Sequence, residues 1–416
     1  MRFKRRSIIS EAVRAPARAA DYLFLAGNLL LLYCFVPPLS LTMFFVVSAL
    51  LVYLKSLVPA RLSAAYLTAA CAILVGTLVL YHRAAGMPGG AVPAILTESL
   101  SNLSASAETI RLLSGIGASY CFLRGVYALL EPRLSLGDYA RYYFFFPTFF
   151  SGPVMTPQDY LAQAPSLGAD NTASGLARMA LGAVKIVTSL WLAGVMPLIS
   201  QAGMAGVIQM NSAAWAWLYA CAAGVWLFLN FSGFSDLAIG AGRLCNITVP
   251  ENFNNPFAAA DITDFWRRWH MTLAAWLRAC IFTPLVHALG YRLGAQHVAL
   301  VVLPPLITMI VCGLWHGVSA CYVIWGALHG AGLVIRHAWK ATVSGRLPQA
   351  VTGSPLYVAA AWLVTQAYIA FTWAFFFPTP SPSLLHSLLY ASRMFGIVRY
   401  DVDIAITHAV AALGLR

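Results

Sequence analysis

The chain has 416 residues, of which 60% are hydrophobic and only 10% charged, well below the roughly 25% charged residues of a soluble globular domain. With a mean hydropathy of +0.75, this composition excludes an ordinary water-soluble enzyme and specifies a polytopic, all-α membrane protein. The formal net charge of +12 does not point to nucleic acid, because the basic residues sit mostly in short loops between apolar runs, where the positive-inside rule accounts for them. A basic cytoplasmic face suits anionic lipid, a thioester donor carrying phosphate, or an acidic carrier protein.

In chain order, the first element is a basic tail, residues 1–20, with Arg2, Lys4, Arg5, Arg6, Arg14 and Arg18. It is not expected to be the start of a cleaved signal peptide. The apolar run that follows breaks at Pro37-Pro38 and resumes at once, which predicts a membrane hairpin with the N-terminus in the cytoplasm. Lys55 and Arg61, two spans later, fall on the same side. Spans are expected at 22–36, 39–57, 63–82, 109–130, 175–200, 212–232, 297–314, 319–336, 355–377 and 402–414. Segment 142–155 is rich in Phe and interrupted by Pro147 and Pro153, so it is expected to be re-entrant or partly buried, covered by protein. The eight cysteines are scattered without metal-ligand spacing and read as small buried hydrophobes. With no internal repeat and no long linker, one membrane domain over 1–416 is expected.

The polar exception is the middle. Ile186 to Ser235 and Leu293 to Ile335 contain no Asp, Glu, Lys or Arg, yet Asp236, Arg243, Glu251, Asp261, Asp264, Arg267, Arg268 and Arg278 crowd between them. At about 100° per residue, Trp266, Trp269, His270, Leu273 and Trp276 share one helical face. The expectation is a single amphipathic helix at an interface or lining a cavity, capped by Asp261 or Thr263. A tryptophan-anchored interfacial helix without chemistry has the same periodicity.

Two histidines stand in this apolar, Trp-rich setting: His270 after Trp269, and His316 after Trp315, between Gly313 and Gly317. A titratable ring within a span is costly and marks a functional site. Imidazole exchanges protons near neutral pH, which suits a general base acting on a hydroxyl. The two glycines allow close packing or substrate access. His329 lies about 220° from His316 on a continuous helix and is expected to pack, while His82, His287, His297, His337, His386 and His408 fall near span ends or loops. There is no nucleophile elbow, no zinc signature and no Walker loop.

Several long motifs agree at once with one family. Phe231 to Gly240 (FSGFSDLAIG), Pro250 to Phe257 (PENFNNPF), Phe265 to His270 (FWRRWH), Gly313 to Gly317 (GLWHG) and Ile324 to Gly330 (IWGALHG) resemble the bacterial membrane-bound O-acyltransferases, in particular the branches of alginate O-acetylation and teichoic-acid D-alanylation. The resemblance covers about 120–399.

That resemblance implies a ring of about 10–11 tilted helices around a central funnel, with re-entrant or interfacial helices. An acyl thioester, acetyl-CoA or an acyl carrier protein, would arrive from the cytoplasm as substrate. The acceptor, a hydroxyl of a cell-surface or secreted polysaccharide, would approach from outside, with no cofactor or metal tightly bound. By residue match His316 falls on the family's catalytic histidine, read as general base, and His270 on its second motif histidine, read as an orienting or electrostatic partner. Asp236, Asn252, Asn254, Asn255, Trp266, Arg267, Arg268, Trp269 and Trp315 are candidates for the substrate cavity. Acetyl is the expected acyl group and D-alanyl the alternative. Phe146 to Pro153 leans toward the D-alanyl branch, whereas Ile324 to Gly330 and Trp373 to Phe377 lean toward acetylation. Met155-Thr156 and Ala279-Cys280 depart from both patterns. The implied location is a bacterial inner membrane, with an acyl carrier protein or a periplasmic acyltransferase as partner. A transporter and a non-catalytic acyl relay are the rival classes; the first would tolerate loss of His316, and the second would fail to acylate an acceptor alone.

Overall fold

The computed structural model describes residues 19–35, 38–59, 62–86, 107–131, 134–149, 151–163, 171–196, 201–294, 296–377, 383–397 and 400–412. Among them every regular element is a helix and there is no strand. Backbone groups in hydrocarbon must find partners within their own segment, which is what a helix supplies. Residues 1–18 of the basic tail, and Arg61, lie outside the described residues.

Five helical stretches are long and apolar enough to cross a membrane: Thr172–Val195, Ala213–Leu244, Met271–Leu293, Ala299–His316 and Pro355–Phe375. Shorter apolar helices are Phe45–Lys55, Ala65–Thr77, Ser119–Leu130 and Val402–Ala411. The multi-pass expectation holds, and two boundaries need correction. The span expected at 212–232 runs on to Leu244, so the polar block starts inside a helix rather than in a loop. Arg278, His287 and Arg292 concealed the span Met271–Leu293. It stays continuous through a π-helical turn at Arg278–Phe282.

The two most extensive helix contacts are Thr172–Val195 against Ala213–Leu244 and Ala299–His316 against Ala320–Thr342. Small residues bring both pairs together, as expected where lipid supplies no hydrophobic drive. In the first pair, a Cβ on Gly182 would stand 2.6 Å from the Gly233 carbonyl oxygen, and one on Gly240 would stand 2.6 Å from that of Gly175. In the second, a Cβ on Gly313 would run into the Tyr322 carbonyl, and one on Gly326 into that of Met309. Gly317 likewise faces the Tyr322 ring. The glycines beside His316 therefore serve close packing. Gly313→Ala is expected to cost about 3 kcal/mol, the upper part of the range for overpacking, and thermal unfolding of the detergent-purified protein would show it. An unchanged midpoint would mean that this contact opens freely.

Segment 142–155 is irregular and covered by protein. It follows Leu136–Tyr143, a helix capped by Ser135, and buries Tyr142, Tyr143, Phe144, Phe145, Phe149, Val154 and Met155. Several of its described polar groups find partners outside the segment. Buried Arg124 donates to the Tyr143 carbonyl at 2.6 Å and to Thr148 Oγ1, Asn28 Oδ1 accepts the Phe146 N–H at 2.8 Å, and Thr272 Oγ1 accepts that of Val154 at 2.9 Å. The last bond ties this segment to the site described next.

Candidate active site

The segment around His270 is not one helix. Ile262–Arg268 ends, Trp269 is extended, and His270 is left-handed with φ 43° before Met271–Leu277 begins. Periodicity missed the break because the aromatic spacing is the same on either side of it. A left-handed histidine is strained and persists only where its surroundings hold it. Here the loop at Asn252 does so. Its carbonyl accepts the Met271 N–H at 2.9 Å, and the Asn254 N–H donates to the Arg268 carbonyl at 2.9 Å, replacing bonds that a continuous helix would make internally. Of the two expected caps, Asp261 is the one used: it accepts the Asp264 N–H at 2.8 Å and pairs with Arg336 at 2.9 Å.

The hydrogen bonds fix the state of the His270 ring. Asn252 Oδ1 accepts the Thr272 hydroxyl at 2.9 Å, and Asn252 Nδ2 donates to Ser235 Oγ at 3.2 Å, so the amide orientation is set by its partners. The His270 Nδ1–H therefore donates to Oδ1, at 2.9 Å. That leaves the lone pair on Nε2, a buried atom with no hydrogen-bond partner among the described residues. Phe231 meets the ring edge-on at 4.6 Å.

His316 occupies the last turn of Ala299–His316. Its ring is half-buried among Trp315 at 4.7 Å, Phe376 at 4.9 Å and Trp325 at 5.4 Å, and among the described residues it makes no hydrogen bond. The Trp315 ring, 6.2 Å from that of His270, joins the two histidines, and its Nε1–H donates to the Ser119 carbonyl at 3.3 Å. The structure thus gathers His270, Trp315 and His316 at one place.

His329 is different. Its Nδ1 accepts from Trp266 Nε1 at 3.3 Å, so Nε2 bears the proton and donates to Thr372 Oγ1 at 3.0 Å, while the Thr372 hydroxyl donates to the Ile369 carbonyl. Both nitrogens are occupied, and its role is packing, as expected. Trp266 and Trp269 are buried, and Trp269 stacks on Phe265 at 5.5 Å and meets Trp373 at 5.7 Å.

The charged candidates divide. Asp236, only 2% exposed, receives Arg178 Nε at 2.7 Å and Lys185 Nζ at 2.6 Å, and Arg178 also reaches Glu251 at 2.6 Å. Both oxygens of Asp236 are committed to joining two helices, so it is structural rather than a cavity group. Asp236→Asn is expected to cost about 3 kcal/mol, the low end for a broken buried pair, because Arg178 and Lys185 retain 25% and 24% side-chain exposure. Chemical unfolding in detergent checks this, and a loss under about 1 kcal/mol would contradict it. Asn254 and Asn255 are exposed; left-handed Asn255, φ 45°, turns the chain into Pro256–Ala258. Arg268 pairs with Asp264 at 2.9 Å, whereas Arg267 is exposed. Sequence reasoning overlooked Ser235 and Thr272, short hydroxyl side chains whose roles depend on partners far along the chain.

A multi-pass membrane protein, helical among its described residues, with two imidazoles beside one half-buried tryptophan, is the class that fold and geometry define. The chain belongs to the membrane-bound O-acyltransferase family, whose model matches residues 39–372. It is 32% identical over 290 residues to the probable alginate O-acetylase of Pseudomonas aeruginosa, covering 69% of this chain and 51% of that protein. It is 31% identical over 252 residues to a teichoic acid D-alanyltransferase of Streptococcus thermophilus (56% and 59%) and 32% identical over 249 residues to a peptidoglycan O-acetyltransferase of Helicobacter pylori (58% and 43%). The chain thus spans about half the length of the curated relatives it matches.

Proposed function

We propose that this protein transfers an acyl group, acetyl, from a thioester donor to a hydroxyl of a cell-surface or secreted polysaccharide, in the inner membrane of a bacterium with its N-terminus in the cytoplasm. The observation that carries the reading is the His316 ring, half-buried and without a hydrogen-bond partner among the described residues, beside a second imidazole whose hydrogen bonds leave Nε2 free. Family membership and two relatives named as O-acetylating proteins support the class of reaction.

In this mechanism a His316 ring nitrogen takes the proton of the acceptor hydroxyl as its oxygen attacks the thioester carbonyl carbon. An ester C–O bond forms, the C–S bond breaks, and the departing thiolate receives the proton from the imidazolium. His270, fixed through Nδ1, presents an electron pair toward the same space and orients the acceptor or steadies the transient positive charge. The helices would enclose a funnel reached by the donor from the cytoplasm and by the acceptor from outside.

D-alanyl transfer from a carrier protein is the second reading, favoured by the relative named as a teichoic acid D-alanyltransferase. A periplasmic acyltransferase working downstream fits the acetyl reading. Purified protein in nanodiscs, supplied with labelled acetyl thioester or labelled D-alanyl carrier protein and a polysaccharide acceptor, separates these readings. Label on the acceptor from acetyl thioester alone supports the first; from the carrier alone, the second. No transfer from either, by a folded preparation, would leave the relay or transporter classes.

A further inference from the structure

Beside Trp266 lies an open groove of about 480 Å³ whose floor is a strip of the helix after the break, with Met271, Ala274 and Ala275, and whose ends carry Arg267 and Arg278. The spacing 271, 274/275, 278 repeats on one helical face. Alanines leave that face low, so a ligand can lie along it between the two guanidinium groups.

Both arginines are exposed, and among the described residues neither makes an ion pair or hydrogen bond. The carboxylates nearest in sequence are taken: Asp264 by Arg268 and Asp261 by Arg336. Arg278 also lies within the candidate span Met271–Leu293, where a charge without a protein counter-charge marks a ligand. It opens the π-helical turn Arg278–Phe282, a local widening typical of functional positions. The groove shares a wall with the site: the Trp266 ring meets Trp325 at 6.0 Å, and Trp325 meets His316 at 5.4 Å.

We infer that Arg267 and Arg278 form a phosphate-ester site. Arginine forks bind phosphate oxygens in pairs, and the alanine floor accepts the thin, flexible arm attached to the phosphate. The inference rests on the acyl-transfer reading in one respect: the carrier of the phosphate is the pantetheine arm of the thioester donor, whose acyl end then reaches toward His316 past Trp266. A phospholipid headgroup offers the same phosphate chemistry from the bilayer.

The test is equilibrium binding of radiolabelled 4′-phosphopantetheine and of pantetheine, which lacks the phosphate, to the full chain in nanodiscs of neutral lipid. Arg267→Gln and Arg278→Gln are each expected to weaken phosphopantetheine binding about tenfold, and the double variant more, with pantetheine binding unchanged. Arg278→Lys, which keeps the charge without the fork, should recover part of the loss. His316→Ala should bind like wild type, so this result stands apart from any failure of acyl transfer. Neither arginine is packed into the protein interior, and monodisperse elution of each variant confirms its fold. If phosphopantetheine binding is insensitive to both substitutions while co-purified anionic phospholipid falls, the phosphate site stands and its ligand is the headgroup. If neither ligand responds in folded variants, the inference is overturned.

Discussion

His316→Ala loses acyl transfer by about 10²–10⁴-fold while the protein remains folded. The size is that of removing a general base from a proton-transfer step. Its selectivity follows from the surroundings: the His316 ring is half-buried and makes no hydrogen bond among the described residues, so no buried polar group is left unpaired. The stability change should stay within about 1–2 kcal/mol, the contribution of ring contacts with Trp315, Trp325 and Phe376. Label transfer at saturating donor, measured beside the thermal midpoint, separates the two effects. A variant that keeps more than a small fraction of the rate removes His316 from the chemistry.

Asn252→Ala is expected to damage both stability and rate. The side chain is wholly buried and serves the His270 Nδ1–H, the Thr272 hydroxyl and Ser235 at once. Its loss strands buried donors at about 1–3 kcal/mol each, partly relieved by rearrangement. It also frees the His270 ring to turn, and a displacement of this kind costs about 10²-fold in rate. A kcat loss that persists in Asn252→Ala under conditions where it is fully folded identifies positioning. Unfolding curves and a kcat-against-KM comparison read the two separately. Wild-type kcat in a destabilised Asn252→Ala protein would reduce the network to a structural one.

Much of this site was legible because its chemistry is carried by rare residues in an apolar background. His270 and His316 stood out against runs without charge, and the structure places both beside Trp315. The helix lengths were largely readable too, since hydropathy reports them. The failures share a cause in long-range contact. Asp236 read as a cavity candidate because its neutralising partners, Arg178 and Lys185, lie on another helix. The span Met271–Leu293 was hidden by Arg278, a charge that an apolar window penalises whether or not a groove receives it. The break at Trp269–His270 is invisible to periodicity, because the hydrogen bonds that permit it come from Asn252 and Asn254.

That break also bears on how the protein meets bilayers of different thickness. A span answers hydrophobic mismatch chiefly by tilting, and a rigid rod running from Ile262 to Leu293 would carry its aromatic residues along. Here the rod is jointed at His270, and the joint is clamped by the Asn252 carbonyl and, through Thr272, by the Val154 N–H. Met271–Leu293 can lean to suit the lipid about its fixed end, with Trp266 and Trp269 on the other side of the pivot. The His270 ring sits at the pivot, the point of this span that such tilting is expected to displace least.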